Sequence, residues 1–565
     1  MKNYLDGGDA ILEAFCNLGI DYVMSSPGSE WGSVWEALTR QQIEKEDGPT
    51  YLSCWHETLA VNVAGGYTAV TGRMQAVLLH AGVGLLQGSN GIHGAQMSET
   101  PMLVLSGESV TYGEDEGFDP GHQWIGGLSV VGGPNRLLEP ITKWSNQATS
   151  AATLYESVVR TGEMSQRTPA GPTYLSVPIE TMLHEWARPE KLRKVPAPGR
   201  PRPSPAEVER VAKMLMEAEH PVIITETIGR DTDGFDALVA LAELLSIPVV
   251  EGGVADFSNL PKSHKLHQGF DFSPHFEAAD LILMVRSRVP WYPPSKRPPN
   301  ATIVSIDETP YKGHMVYQNL HADAFLEGDA VASLEMLADA VRAAGIDAAK
   351  VAEQGARWQA AHDKLHDEIA SAQAEARDKS PIDPVWLCTA LGETLPDNAV
   401  YVDETITHRR VLRSHIPWDG KQDYFRVAGG LGQGLGIALG VKLALKDRPV
   451  VSLIGDGSFL YNPVTQSLGF SMEENLPILI VVFNNNGYRA MKNNHLLYYP
   501  DGVAKQNDIY MGETINGPDY AELVAPFGGH GIKVEDPAKL PGAIAEGLAA
   551  VEDGRTTILN VILSR

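Results

Sequence analysis

At 565 residues the chain is too long for one hydrophobic core and predicts three domains of ordinary size; its 43% hydrophobic content fits a globular protein. A net charge of −26 at pH 7 repels phosphate backbones and anionic lipid, so neither nucleic acid nor a membrane surface is an expected partner. Three widely spaced cysteines, Cys16, Cys54 and Cys388, form no CxxC pair and predict neither a zinc cluster nor a disulfide framework. The first residues, Met1-Lys2-Asn3-Tyr4-Leu5-Asp6-Gly7-Gly8, hold no apolar core of a signal peptide, and no apolar run approaches the length of a membrane span. A soluble, cytoplasmic protein is expected.

In residues 1–187, the runs 22–24, 76–79 and 102–105 read as buried strands with helices between them, which predicts an α/β domain with a parallel sheet. Ser25-Ser26-Pro27-Gly28-Ser29-Glu30 follows the first of these strands. Cys54-Trp55-His56-Glu57 then opens an Ala- and Gly-rich stretch typical of a closely packed buried helix. Glu57 falls at the helix start, where the dipole stabilises a carboxylate, and a capping role accounts for it equally well. His80, in Leu78-Leu79-His80-Ala81-Gly82-Val83-Gly84, follows 23 residues later; a lone histidine is more often a structural residue than a catalytic one. Further on stands Gly121-His122-Gln123-Trp124-Ile125-Gly126-Gly127.

Pro189, Pro196, Pro198, Pro201, Pro203 and Pro205 crowd a segment that can continue neither a helix nor a central strand. This linker ends in Ser204-Pro205-Ala206-Glu207, a capped helix start. A middle α/β domain over 204–345 is expected, with strands near 221–225, 247–251, 281–285 and 301–305. The Ala-, Glu- and Lys-rich stretch 347–377 predicts a long, mostly exposed helix, and Asp383-Pro384 starts the next one, within a third domain spanning 380–565. The fold class is thus α/β, with three doubly wound parallel-sheet domains.

Within the third domain, Asp403-Glu404-Thr405-Ile406-Thr407-His408 follows a strand over 399–402, and Val427-Ala428-Gly429-Gly430-Leu431-Gly432-Gln433-Gly434 reads as a tight strand-to-helix turn whose spacing is not GxGxxG. The strand over 450–454 runs into Gly455-Asp456-Gly457-Ser458, and a second over 478–483 runs into Asn484-Asn485-Asn486-Gly487. Both are ordinary strand-end turn chemistry. They also supply a carboxylate, an amide oxygen and a turn carbonyl, a hard-oxygen set suited to Mg²⁺ beside two phosphate oxygens and water. Gly455 and Gly457 let backbone N–H groups approach phosphates with no Cβ in the way, so the pair predicts a metal–diphosphate site.

The pairing of the two turns resembles the fingerprint of thiamine-diphosphate enzymes, and the resemblance spans nearly the whole chain. It implies that Asp456 and Asn485 give side-chain ligands to Mg²⁺ and Gly487 a main-chain oxygen, with Gly455, Gly457, Ser458 and Tyr488 beside the cofactor. Glu57 takes the place of the family's acid that bonds N1' of the aminopyrimidine. Gly429 and Gly430 match the segment that holds this ring, Leu431 the wedge under the cofactor, and Thr405, Thr407 and His408 a diphosphate-contacting turn. Ser29 and His80 resemble the substrate-side residues of benzoylformate decarboxylases, and Gln123 resembles a loop residue of acetohydroxyacid synthases and pyruvate oxidases. Ala490 and Asn494, beyond the metal turn, fall at the pocket mouth. One departure stands out: Val289-Pro290-Trp291-Tyr292 occupies the place where the decarboxylases carry a second active-site histidine.

The resemblance further implies a lyase that decarboxylates a 2-oxo acid or cleaves a ketone through ylide and enamine intermediates, with possible carboligation. A carboligating transferase of the acetohydroxyacid-synthase type, hydrolytic cleavage of an activated dicarbonyl and a non-catalytic cofactor-binding protein are the alternatives. A homodimer is the implied minimum and a homotetramer usual, with the helix after Glu57 and the turn after Val427 as subunit-interface surfaces. FAD is left open, since Ile228-Gly229-Arg230-Asp231 is no signature for a dinucleotide.

Overall fold

In the computed structural model, residues 5–108, 130, 132–192, 194–316 and 321–564 are described. Runs of aliphatic and β-branched residues too short for helices become strands, and the amphipathic stretches between them return the chain across each sheet, so every strand pairing within the sheets is parallel. Among the described residues there are three sheets, of six, five and six strands.

The chain divides into two compact units. The first takes the described residues up to Gly199 together with Val427–Lys446 and Asn462–Leu476; the second takes the rest. In the first unit the strands are β1 (Tyr22–Ser25), β2 (Thr50–Ser53), β3 (Gln75–Leu79), β4 (Met102–Glu108), β5 (Trp144–Gln147) and β6 (Pro172–Pro178), in the order β2-β1-β3-β4-β6-β5. β2, β5 and β6 lack a clear apolar run, and the sequence reading missed them. A core of Ile11, Phe15, Trp31, Leu78, Leu103, Tyr155 and Val177 lies against one face of this sheet.

Helix Glu57–Thr71, almost wholly buried, packs against helix Gly434–Ala444 of the same unit. A Cβ at Gly66 would stand 2.2 Å from the Ile437 carbonyl oxygen, and one at Gly440 2.1 Å from that of Val63, so glycine sets how closely the two backbones approach. The helix after Glu57 and the helix that follows the Val427 turn thus cover each other within one unit of the chain.

The second unit holds two sheets. β7 (Pro221–Thr225), β8 (Val249–Glu251), β9 (Leu281–Val285), β10 (Thr302–Asp307) and β11 (Ala324–Glu327) are ordered β11-β10-β9-β7-β8. β12 (Val400–Glu404), β13 (Tyr424–Arg426), β14 (Val450–Gly455), β15 (Leu479–Asn484), β16 (His530–Val534) and β17 (Thr557–Ile562) are ordered β13-β12-β14-β15-β17-β16. The long helix is Ala348–Ala376, and Asp383 caps helix Pro384–Thr394, both as the sequence predicts.

In each sheet the first strand is flanked on one side by the second and on the other by the third, so the winding reverses beside β1, β7 and β12. Open α/β sheets bind ligands at the carboxyl ends of strands at such a reversal. The turns that leave β1, β3, β12 and β14 there carry Ser29, His80, His408 and Asp456.

Candidate active site

In the second unit, β14 and β15 are paired with Gly455 opposite Phe483, so Asp456 and the asparagine run leave the sheet side by side. Asp456 is 3% exposed and begins a short helix, not the turn expected. Its two oxygens accept from the Gly457 N–H at 2.9 Å and the Gly487 N–H at 3.0 Å, which joins the two sequence motifs directly. Burial pushes the Asp456 carboxyl up to about 6 against these two N–H groups, so a cation beside it would relieve a real electrostatic cost. Gly457 lies under the Tyr488 ring, whose nearest carbon stands 2.6 Å from where a Cβ would be.

Asn485, 4% exposed, sets its Nδ2 at 3.1 Å from His408 Nε2. Burial lowers His408 to about 4, which keeps its imidazole neutral and able to accept that N–H. Asn485 Oδ1 is left as a buried oxygen with no hydrogen-bond partner among the described residues. Such an orphan is costly unless a ligand meets it. A buried carboxylate, a buried amide oxygen and a glycine turn fit an oxygen-coordinated Mg²⁺ that completes its shell with phosphate oxygens and water.

The neighbouring turn is only partly open. β12 extends through Glu404, two residues past the predicted strand. Thr405 is wholly buried and its hydroxyl donates to Asp403 Oδ1 at 2.6 Å, so of the two threonines Thr407 alone is exposed. Ser458 is buried at 5% exposure, and Gly455 is half-buried. On helix Arg489–Tyr498, Ala490 is half-buried and Asn494 exposed.

The first unit gathers a second set. Glu57 is the first residue of its helix and is half-buried. Gly84 stands between it and His80: a Cβ there would lie 2.8 Å from His80 Cβ and 2.9 Å from Glu57 Oε1. His80 Nδ1 is 2.7 Å from Glu30 Oε2, and the Ala81 N–H donates to Glu30 Oε1 at 2.7 Å. The Glu30 side chain is fully buried and holds the His80 imidazolium above the ordinary histidine range, with Glu57 adding a smaller pull in the same direction. Ser29, exposed, opens the turn that carries Glu30. The Gly429–Leu431 turn rests on helix Val83–Met97: Asn90 Nδ2 donates to the Leu431 carbonyl at 2.8 Å, and a Cβ on Gly429, at φ +85°, would meet Gly94 Cα at 2.5 Å. Gln123 lies outside the described residues.

Glu30 was not foreseen. It stands next to Ser29 in the motif, and its only sequence signal is a carboxylate in a glycine-rich turn. Glu30→Gln is expected to lower His80, with the pull of burial no longer opposed by Glu30, and to cost about 1.5–3 kcal/mol at acidic pH, the usual worth of a hydrogen bond to a charged group. Because the folded-state value is raised, the stabilisation is complete below about pH 6.5 and is lost as pH rises through the raised value. Urea midpoints at about pH 6 and about pH 9 should therefore differ in this component for the wild type and not for the variant.

At the third reversal, beside β7, Glu226 is fully buried and accepts from the N–H groups of Arg288 at 2.8 Å and Val289 at 3.0 Å and from the Ser287 hydroxyl at 3.1 Å. Arg288 also pairs with Asp256 at 2.7 Å, and Asp256 with Arg426 at 2.7 Å. The segment that departs from the decarboxylase pattern is thus bolted to the middle sheet.

Comparison with known proteins fits this architecture. Three family profiles match the chain: "Thiamine pyrophosphate enzyme, N-terminal TPP binding domain" over residues 5–126, the "central domain" over 208–337 and the "C-terminal TPP binding domain" over 407–561. Benzoylformate decarboxylase of Pseudomonas aeruginosa is 26% identical, covering 88% of this chain and 90% of its own. Acetolactate synthase large subunit of Haemophilus influenzae is 22% identical over 96% and 92%. The structure of a thiamine diphosphate-dependent 4-hydroxybenzoylformate decarboxylase from Rhodococcus jostii shares the fold with a TM-score of 0.79 at 23% identity, covering 99% of each chain.

Proposed function

Because the chain belongs to the thiamine pyrophosphate enzyme family, we propose that it is a thiamine-diphosphate- and Mg²⁺-dependent carbon–carbon lyase that decarboxylates a small 2-oxo acid, with carboligation as a second outcome. The observation that carries the metal and diphosphate assignment is the buried Asp456 carboxylate tied to Gly487 beside the orphaned Asn485 Oδ1. Asp456, Asn485 and the Gly487 carbonyl are assigned to Mg²⁺. Gly455, Gly457, Ser458, Thr407, His408 and Tyr488 are assigned to the diphosphate end, and Thr405 supports that turn from within through Asp403. Glu57, with Gly429, Gly430 and Leu431, is assigned to the aminopyrimidine end.

When bound, thiamine diphosphate supplies the nucleophilic carbon and the electron sink for the bond that breaks. The protein's part is geometry and proton control. Glu57, the first residue of its helix, is assigned to exchange a proton with a ring nitrogen of the cofactor. His80, whose charged form Glu30 favours, carries a proton toward the reacting carbon, and Ser29 lies on the same turn as Glu30 to meet a substrate carboxylate. The homodimer, or a tetramer of such dimers, and a cytoplasmic site of action belong to the same reading.

A second reading, a carboligating transferase, is favoured by the full-length likeness to acetolactate synthase and by Gln123 in the sequence. Pyruvate, benzoylformate and longer 2-oxo acids, assayed for carbon dioxide release with added cofactor and Mg²⁺ and an acceptor aldehyde, separate the two. Aldehyde as the main product supports the lyase, hydroxyketone acids support the transferase, and no carbon dioxide from any of them contradicts both.

A further inference from the structure

We infer that Glu513 is a positioning residue of the metal-binding turn, acting as a negative charge held against Gly487; the inference rests on the metal assignment above. Gly487 pairs with Thr514 in an isolated antiparallel bridge, flanked by the Tyr488 N–H donating to the Glu513 carbonyl at 2.7 Å and the Ile515 N–H donating to the Asn486 carbonyl at 3.1 Å. Residues 513–515 therefore clasp the turn from outside the sheet. The approach is close enough that a Cβ on Gly487 would stand 2.8 Å from the Glu513 carbonyl and 3.1 Å from its carboxylate Oε1.

The carboxylate itself is buried, the residue being 8% exposed. Its Oε2 accepts from the Thr514 hydroxyl at 3.2 Å, while among the described residues Oε1 has no hydrogen bond and the Arg489 guanidinium, 2.9 Å away, is its one charge partner. Arg489 is itself nearly buried and leaves its Nε without a hydrogen bond. A pair that existed only to tie helix Arg489–Tyr498 to the turn would be expected to make full use of a guanidinium's forked geometry. Instead a carboxylate oxygen with unused acceptor capacity faces the glycine whose carbonyl is assigned to the cation. Groups just outside a metal's own ligands orient those ligands and add to the field at the ion, and their loss commonly weakens metal binding by about 10- to 100-fold.

The two members of the pair should then act with opposite sign. Glu513→Gln keeps size and hydrogen-bonding capacity but removes the charge, and is expected to raise the Mg²⁺ concentration needed for half-maximal thiamine diphosphate uptake by about 10-fold or more. Arg489→Met leaves the carboxylate unneutralised and is expected to leave that concentration unchanged or lower it. The readout is tryptophan fluorescence quenching by saturating thiamine diphosphate as Mg²⁺ is added to the chelator-treated full chain, with urea midpoints as a folding control. Equal weakening in both variants, weakening only in Arg489→Met, or no change in Glu513→Gln overturns the inference. Wild-type protein that takes up no cofactor at any Mg²⁺ concentration defeats instead the metal assignment on which it rests.

Discussion

Glu57→Gln is expected to slow exchange of the C2 proton of added thiamine diphosphate by about 10²- to 10⁴-fold, the usual weight of one general acid–base group, while leaving cofactor uptake nearly intact. The reason is local. Glu57 is fixed as the first residue of a helix whose next turns are buried, and Gly84 leaves it beside His80 with no side chain between them. Glutamine fills the same space in the first turn of a helix that His56 caps, but its amide cannot pass a proton to a ring nitrogen. Quench-flow exchange in deuterium oxide reads the step directly. Near-normal exchange in the variant would remove Glu57 from the chemistry.

Asp456→Ala carries the second large effect, on binding rather than on proton transfer. Asp456 supplies the only carboxylate of the assigned metal set and is the acceptor that ties the Gly457 and Gly487 N–H groups together. Its loss removes a charged ligand and leaves two N–H groups unpaired in a buried site, each at about 1–3 kcal/mol. Mg²⁺-dependent cofactor retention through a desalting column should fall below detection at cofactor concentrations that saturate the wild type. Because burial already holds the carboxyl near pH 6, wild-type retention should also weaken as pH falls toward that value. Retention by the variant equal to wild type would place the metal elsewhere.

The two sets of residues, one in each unit, differ in how far the sequence discloses them. The glycine–aspartate–glycine and asparagine–glycine turns are legible because their packing demands residues that stand out: glycine where Tyr488 packs over Gly457 and where residue 513 crosses Gly487, beside a carboxylate where an apolar strand ends. Glu57 and His80 are singled out by the family resemblance alone, since a carboxylate at a helix start and a lone histidine are each as readily structural. Glu30 and Glu513 are not singled out. Each acts across a fold contact, Glu30 on His80 from the neighbouring strand end and Glu513 on Gly487 after an excursion through two surface helices, and a single acid in a turn carries no period or spacing to announce such a contact.

The same limit explains the fold-level differences. Strands β7, β9, β14 and β15 are apolar runs and were read nearly to the residue, whereas β2 and β5 are partly exposed edge strands of mixed composition. The packing of helix Gly434–Ala444 on the Glu57 helix depends on Gly66, Gly436 and Gly440 lying on facing surfaces, which sequence spacing alone does not reveal. Reversal of winding beside β1, β7 and β12 is likewise a property of strand order, and it is what aligns three otherwise unrelated turns with the ligand-binding edges of their sheets.

Calorimetric titration of thiamine diphosphate into the purified chain, with Mg²⁺ and again with a chelator, tests the central assignment most directly. Saturable binding of one cofactor per chain that requires the divalent ion is the predicted result. Absence of binding with Mg²⁺ present, or binding indifferent to the chelator, would contradict it.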